Sequence, residues 1–326
     1  MGKSRNEFGV LLKEEASYGD GGTLAGASDG ILVNEEAWPE LGYIHDGARR
    51  GESGPVATGL QNVRKSGRFA EVPLIAEAHG GGAAYSASVK PNVHVPLLLA
   101  GFDATLDATG GSEKYTYALG AGSSGVGEFY AREQMIKMLG ILADLSITAD
   151  GPEVPVWEFA LSGLAELPTE AAVPSITYPS VKPPKAENIT LQMGSFGSAV
   201  VRSHGLSLNR SLSPRGDQNS GGHKGFKGGT RFPTLEVEIE ADSFVSDPYH
   251  AAGGINPYQL AELATALSLS LVVGDTQYNR YKINASNAQL QPVGDDEDEA
   301  SAIWTLTFDL RPSAPGQKDN FTIVFD

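Results

Sequence analysis

The sequence predicts a mainly β protein of the α+β class: two tandem antiparallel β-sandwich or barrel domains, each with one flanking helix. Three observations predict it. The first is an internal echo. Residues 67–78 (GRFAEVPLIAEA) reappear as residues 230–241 (TRFPTLEVEIEA), at an offset of 163 in a chain of 326 residues. Residues 156–161 (VWEFAL) reappear as 303–308 (IWTLTF), at an offset of 147. Residues 30–34 match 205–209 at an offset of 175. The order is the same in both copies, as a duplicated unit requires, and the shrinking offset places the longer insertion between the Arg-Phe and Trp segments of copy one. The second observation is strict alternation of apolar and polar residues, the period of a half-buried strand. The third is abundant turn chemistry, 40 glycines and 19 prolines, which favours many short strands.

Residues 1–30 read as an N-terminal arm, with a short apolar stretch at 8–13 and a Gly/Ala/Ser/Asp-rich segment at 18–30. The first domain spans 31–178. Residues 179–185 (PSVKPPK) form a proline-rich linker, because proline favours extended backbone and cannot join a central strand. The second domain spans 186–326. Within it, Leu235, Val237 and Ile239 alternate with Glu236, Glu238 and Glu240, and Trp304, Leu306, Phe308 and Leu310 alternate with Thr305, Thr307, Asp309 and Arg311. Each set predicts a strand with one core face and one polar face. Residues 321–325 predict a final strand. One helix is expected per copy, at 95–102 and at 257–267. The second has Asn256 as its cap, Pro257 at its first position, and Leu260, Leu263, Ala264 and Leu267 on one face.

Composition narrows the function classes. The chain is 40% hydrophobic and 20% charged, which is globular rather than disordered. Its net charge of −16 argues against general affinity for DNA, which rests on Lys and Arg at phosphates. With no cysteine, disulfides, thiolate metal sites and Cys nucleophiles are excluded. No apolar run reaches the roughly 20 residues of a membrane span, and the opening residues lack the apolar core of a signal peptide, so a cytoplasmic product without a membrane anchor is expected.

The motif search returns no catalytic, cofactor or metal site. Residues 120–125 (GAGSSG) match the dinucleotide fingerprint and Asp144 lies downstream, but the next residues, Val126-Gly127-Glu128, open a helix poorly and no second βαβ unit follows. A β-hairpin loop is the reading preferred. The acidic run 295–299 lacks the spacing of a calcium loop and reads as a solvated hairpin tip. The six histidines show no ligand spacing. Two long polar loops stand at corresponding places: residues 46–67, with Arg49, Arg50, Arg64 and Lys65, and residues 215–227, with Arg215, Lys224 and Lys227. Paired loops of this length favour a functional role.

Residues 11–19 leading into 31–33, residues 156–164 followed by 168–174 and Tyr178-Pro179, and the second-copy stretches 229–233 and 283–292 together resemble the tail tube proteins of long-tailed bacteriophages, in a duplicated form. The resemblance covers most of the chain and carries no catalytic residues. It implies a non-enzymatic virion protein, assembled in the host cytoplasm, whose sandwich domains join side by side into rings that stack into a tube and conduct DNA from capsid to host. A duplicated subunit implies a pseudo-hexameric ring of three chains. The implied partners are further copies of itself, a tape measure protein, tail tip and terminator proteins, and genomic DNA in transit without specific binding. Under this reading Glu158, Glu236, Glu238, Glu240 and Asp309 are expected to line the lumen, and the two basic loops to make contacts between subunits or rings. The alternatives are another phage structural module, such as a capsid decoration or tail tip protein, and, more distantly, a nicotinamide-dependent oxidoreductase using the glycine motif.

Overall fold

A computed structural model describes residues 8–46, 65–178, 180–186, 188–197, 199–217, 223–241, 255–298 and 301–326. Before the proline-rich segment the strands are β1 (Phe8–Glu14), β2 (Gly30–Ile31), β3 (Glu40–Asp46) and β4 (Lys65–Glu77), then helix α1 (His94–Leu99), then β5 (Phe102–Asp107), β6 (Lys114–Leu119), β7 (Gly125–Ala131), β8 (Gln134–Asp150), β9 (Val156–Ala165) and β10 (Thr169–Glu170). After it come β11 (Ile189–Met193), β12 (Val201–Ser207), β13 (Leu212–Pro214), β14 (Phe226–Gly228) and β15 (Thr234–Glu240), helix α2 (Pro257–Leu263), then β16 (Ala266–Val273), β17 (Tyr281–Leu290), β18 (Gly294–Asp298), β19 (Ser301–Leu310) and β20 (Thr322–Phe325). The fold is mainly β, with large antiparallel sheets.

Alternation sets these strands. Leu235, Val237 and Ile239 are fully buried on β15, as are Val72, Leu74 and Ala76 on β4, while the intervening residues face outward. Each large apolar side chain so buried contributes roughly 1.5–3 kcal/mol. The helices are shorter than expected. In α2 the Asn256 side chain accepts from Gln259 N at 3.1 Å and Pro257 occupies the first turn, as the sequence requires. Ala264 then turns left-handed (φ 49°) and β16 begins at Ala266, so Leu267 belongs to a strand. In α1 the stop is Gly101, at φ +92°, after which Phe102 opens β5.

The pairings trace two packed layers. One runs β3–β4–β9–β8–β12–β15–β19–β18, and the other β5–β6–β20–β17–β16–β11. They face each other through aromatic contacts: the Trp157 ring on β9 lies 5.2 Å from Tyr281 on β17 and 6.0 Å from Phe325 on β20. A corner joins the layers where 288–290 of β17 pair with 308–310 of β19. The long β8 serves two neighbours on one edge, β7 through its first half and β12 through its last. β1 lies along β7 over its whole length with Val10, Leu11 and Leu12 buried, so the described part of the expected arm is woven into the sheet.

The internal echo is reproduced in strand register. Trp157 stands opposite Ala76, and Trp304 stands opposite Ile239. Phe159 faces Leu74 as Leu306 faces Val237, and Leu161 faces Val72 as Phe308 faces Leu235. These pairs are related by the two offsets read from sequence, 163 and 147. The third echo fails. Gly30 and Ile31 pair with β1 at a margin, whereas Gly205 lies in β12 between β8 and β15. The five-residue match was only the apolar pattern common to many strands.

The residues on either side of the proline-rich segment share one hydrophobic core. Two pairings, β8–β12 and β6–β20, cross between them. The linker's Lys182 O accepts from Asn279 Nδ2 of the second copy at 2.9 Å, and just beyond the linker Ala186 N donates to Glu153 O of the first at 3.1 Å.

Candidate functional site

The outward face of the first layer gathers the predicted lumen residues. Directly opposed residues of an antiparallel pair point to the same side. One row of Cα partners runs Ile75, Glu158, Ser146, Ser207, Thr234, Asp309 across six strands. The next runs Glu77, Val156, Thr148, Gly205, Glu236, Thr307. A third runs Asp150, Ser203, Glu238, Thr305. Glu240 follows opposite Ile303. Glu158, Glu236, Glu238, Glu240 and Asp309 therefore share one face of one sheet, although they come from both copies.

The face is built of carboxylates set among small and hydroxyl side chains, with Ile75, Val156 and Ile303 as its apolar members. Glu238 accepts from Ser203 Oγ at 2.7 Å, and Glu236 from Thr307 Oγ1 at 3.4 Å. Described cations sit at its margins: Arg202 Nη2 lies 3.1 Å from Glu240, and Arg311 Nη2 lies 3.2 Å from Asp309, which also accepts from Gln291 Nε2 at 2.6 Å. Glu158 and Glu236 are exposed. The sequence reading missed Asp144 and Asp150 on the same face. The signal was present: Asp144, Ser146, Thr148 and Asp150 alternate with buried Leu145, Ile147 and Ala149.

The predicted loop residues fare differently. Arg49, Arg50 and Arg64 lie outside the described residues, and Lys65 begins β4 by its backbone alone. Arg215, Lys224 and Lys227 are exposed on the hairpin of β13 and β14. Its base is tied: Arg215 N donates to Gly225 O, and Lys224 N to Arg215 O, both at 2.8 Å. The hairpin also covers the first copy. Phe226 and His223 meet the Phe69 ring edge-on at 5.8 and 6.3 Å, and Phe226 N donates to the Tyr18 hydroxyl at 2.6 Å.

The glycine motif is a connection between β6 and β7, which belong to different parts of the sheet, so the expected hairpin is corrected to a crossover loop. A strand, not a helix, follows it. Three of its amides are already used: Gly120 N donates to Gly101 O, Ser123 N to Leu98 O, and Gly122 N to Asp103 Oδ1, each at 3.0 Å. A pyrophosphate cradle needs free amides at a helix start. The acidic run 295–299 falls mainly on β18, and its side chains lie outside the described ones. Among the described residues no helix is long and apolar enough to cross a membrane. No protein-family model matches the chain, and no curated protein matches it.

Proposed function

We propose that the chain is a tail tube subunit of a long-tailed bacteriophage, a structural, non-enzymatic virion protein whose three-chain rings stack into a conduit for DNA. The observation that carries this reading is the acidic face that continues unbroken through both copies of the unit. A lumen needs such a face. Phosphates passing along it meet carboxylates and hydroxyls rather than cations, so counterion-release binding has nothing to act on. The repulsion is short-ranged, about 8 Å at physiological salt, which suits a wall and not a steering field.

The two ends of the same sheet suggest how rings close. Among the described residues β3 pairs only with β4, and β18 only with β19. Open antiparallel edges invite another strand. The internal junction supplies a template. Ser146 of β8 pairs with Ser207 of β12. Gly294 faces Thr305 as Ser146 faces Glu158, so Gly294 is the counterpart of Ser146. Glu40 faces Glu71 as Ser207 faces Thr234, so Glu40 is the counterpart of Ser207. The chain–chain junction then pairs Gly294 with Glu40 of the next copy, repeating the internal pairing around a closed ring. Stacking of rings is head-to-tail and open, so it makes a filament. The tape measure, tail tip and terminator proteins are the further partners of this assembly.

The test uses the absence of native cysteine. A Glu40→Cys, Gly294→Cys double variant is oxidised under assembly conditions and run denatured. The expected ladder stops at a circular trimer, with rings visible by electron microscopy. Discrete monomers at high concentration, with no cross-link and no rings, would sink the proposal.

A further inference from the structure

A cleft of about 630 Å³ opens between the β6–β7 connection and the hairpin of β13 and β14. Arg210, Arg215, Lys227, Arg231 and Lys318 line it, and among the described residues no carboxylate does. Arg210 is only 7% exposed. Its guanidinium and that of Arg231 converge on Gly101: their central carbons lie 3.2 and 2.8 Å from where a Cβ on that glycine would stand. Only a residue without a side chain leaves room for the pair.

Two adjacent cations, Arg210 buried and Arg231 half-buried, are costly unless an anion answers them. Arg210 Nη1 donates to Leu99 O at 2.6 Å and to Ala143 O at 3.1 Å, and Arg231 Nη1 donates to Gly120 O at 3.0 Å. These are neutral carbonyls. The Nε of each arginine is buried and has no hydrogen-bond partner. Among the described residues neither guanidinium forms a salt bridge. Asp144 accepts the backbone amide of Arg210, and Asp103 that of Gly122; burial lowers the Arg231 pKa against the opposing pull of Asp103, which forms no salt bridge with it among the described residues. Burial first, then the neighbouring Arg231, pushes the Arg210 pKa down to about 10, against the opposing pull of Asp144.

We infer that this cleft is a carboxylate-binding site, in which Arg210 and Arg231 grip one carboxylate while Arg215, Lys227 and Lys318 draw it in. The guanidinium fork matches a planar carboxylate in two parallel hydrogen bonds. A phosphate would also call on loop amides, and three of those in the glycine connection are taken internally. The carboxylate comes either from a small acid in solution or from an Asp or Glu of a second copy. The chain holds 40 acidic against 24 basic residues, which favours the second copy as donor.

The experiment titrates glutarate, a mimic of an acidic side chain, into protein dilute enough to sediment as single chains. Calorimetry is run at ionic strength held constant with chloride. Wild type is expected to bind saturably. Arg231→Gln is expected to bind about tenfold more weakly, and Arg231→Lys to recover part of the loss, as a charge without the fork. Lys318→Gln, on the exposed rim, leaves folding intact and weakens binding about threefold. No saturable binding by wild type, equal binding by all variants, or tighter binding of inorganic phosphate than of glutarate would each overturn the site. At higher concentration, glutarate that dissolves wild-type oligomers identifies a neighbouring copy as the donor; saturable binding with oligomers unchanged overturns that source. Rings seen by microscopy decide the tube reading separately, whichever way the titration falls.

Discussion

Phe69 and Phe232 hold the same place in the two copies of the unit, yet their surroundings differ. Phe69 is met by Phe226 and His223 from the second copy's hairpin. Phe232 is 68% exposed. The tryptophans diverge in a similar way. Trp157 is fully buried against Tyr281 and Phe325 of the second copy, whereas Trp304 meets Tyr258 of its own copy's helix at 6.4 Å. In both cases a ring of the first copy packs against rings of the second. Register has been kept while the covering has become asymmetric. Phe69 is packed across the internal junction, whereas Phe232 stands exposed.

The largest expected effect breaks the internal junction. Trp157→Ala should cost about 3–5 kcal/mol, the usual range for deleting a buried aromatic, because it empties a site shared by both layers. Trp304→Ala should cost less, about 2–4 kcal/mol, since that ring is slightly exposed and rests against a short helix. Urea unfolding of both variants measures the order. A Trp304 variant less stable than the Trp157 variant would mean that the shared core is not centred where the two copies meet.

The second effect is acid sensitivity, to which each copy contributes a buried histidine. Burial lowers the pKa of His204 to about 4, and burial with Lys90 nearby lowers that of His94 to about 4. His204 Nε2 lies 3.4 Å from the Tyr281 hydroxyl, and His94 Nδ1 lies 2.8 Å from that of Tyr117. A histidine held neutral in the fold but free to charge when unfolded stabilises the protein fully above the unfolded value near 6.5. That contribution is lost as pH falls from 6.5 toward 4, by up to about 3 kcal/mol per histidine. The β3–β4 ladder starts at Glu40 opposite Glu71, the counterpart of Ser207 opposite Thr234, so it holds no counterpart of His204. His204→Gln should therefore flatten the stability profile between pH 6.5 and 4.5, as measured by urea unfolding at several pH values. An unchanged slope would show that His204 charges in the folded state without penalty.

Much of this was legible in the sequence because it is local. The alternation in 235–239 and 304–310 gave strands with the correct inner faces, and Asn256 and Pro257 gave the start of α2. The Arg-Phe and Trp echoes gave matching registers. What was hidden depends on distant partners. Nothing near Ser146 states that β8 will turn from β7 to β12, and nothing near Phe325 states that β20 will join β6. Strand pattern identifies a face, not a neighbour. The lumen candidates were readable as polar alternation, yet their union on one face waited on those cross-copy pairings. The basic cleft was unreadable for the same reason: Gly101, Arg210 and Arg231 meet only through the fold.

The smallest effect on the single chain is the sharpest test of the comparison. Phe69→Ser removes a ring packed edge-to-face on two others, and should cost about 1–2 kcal/mol. Phe232→Ser removes an exposed ring and should change stability by less than about 0.5 kcal/mol. If the second copy's open side is the counterpart of the covered first, the order reverses in assembly. Phe232→Ser should then raise the concentration at which oligomers form, while the folded chain and its unfolding midpoint stay as in wild type. Sedimentation velocity across a concentration series reads this directly. Assembly indifferent to Phe232→Ser would mean that the exposed ring is surface alone, and that the internal junction is not the pattern for contacts between chains.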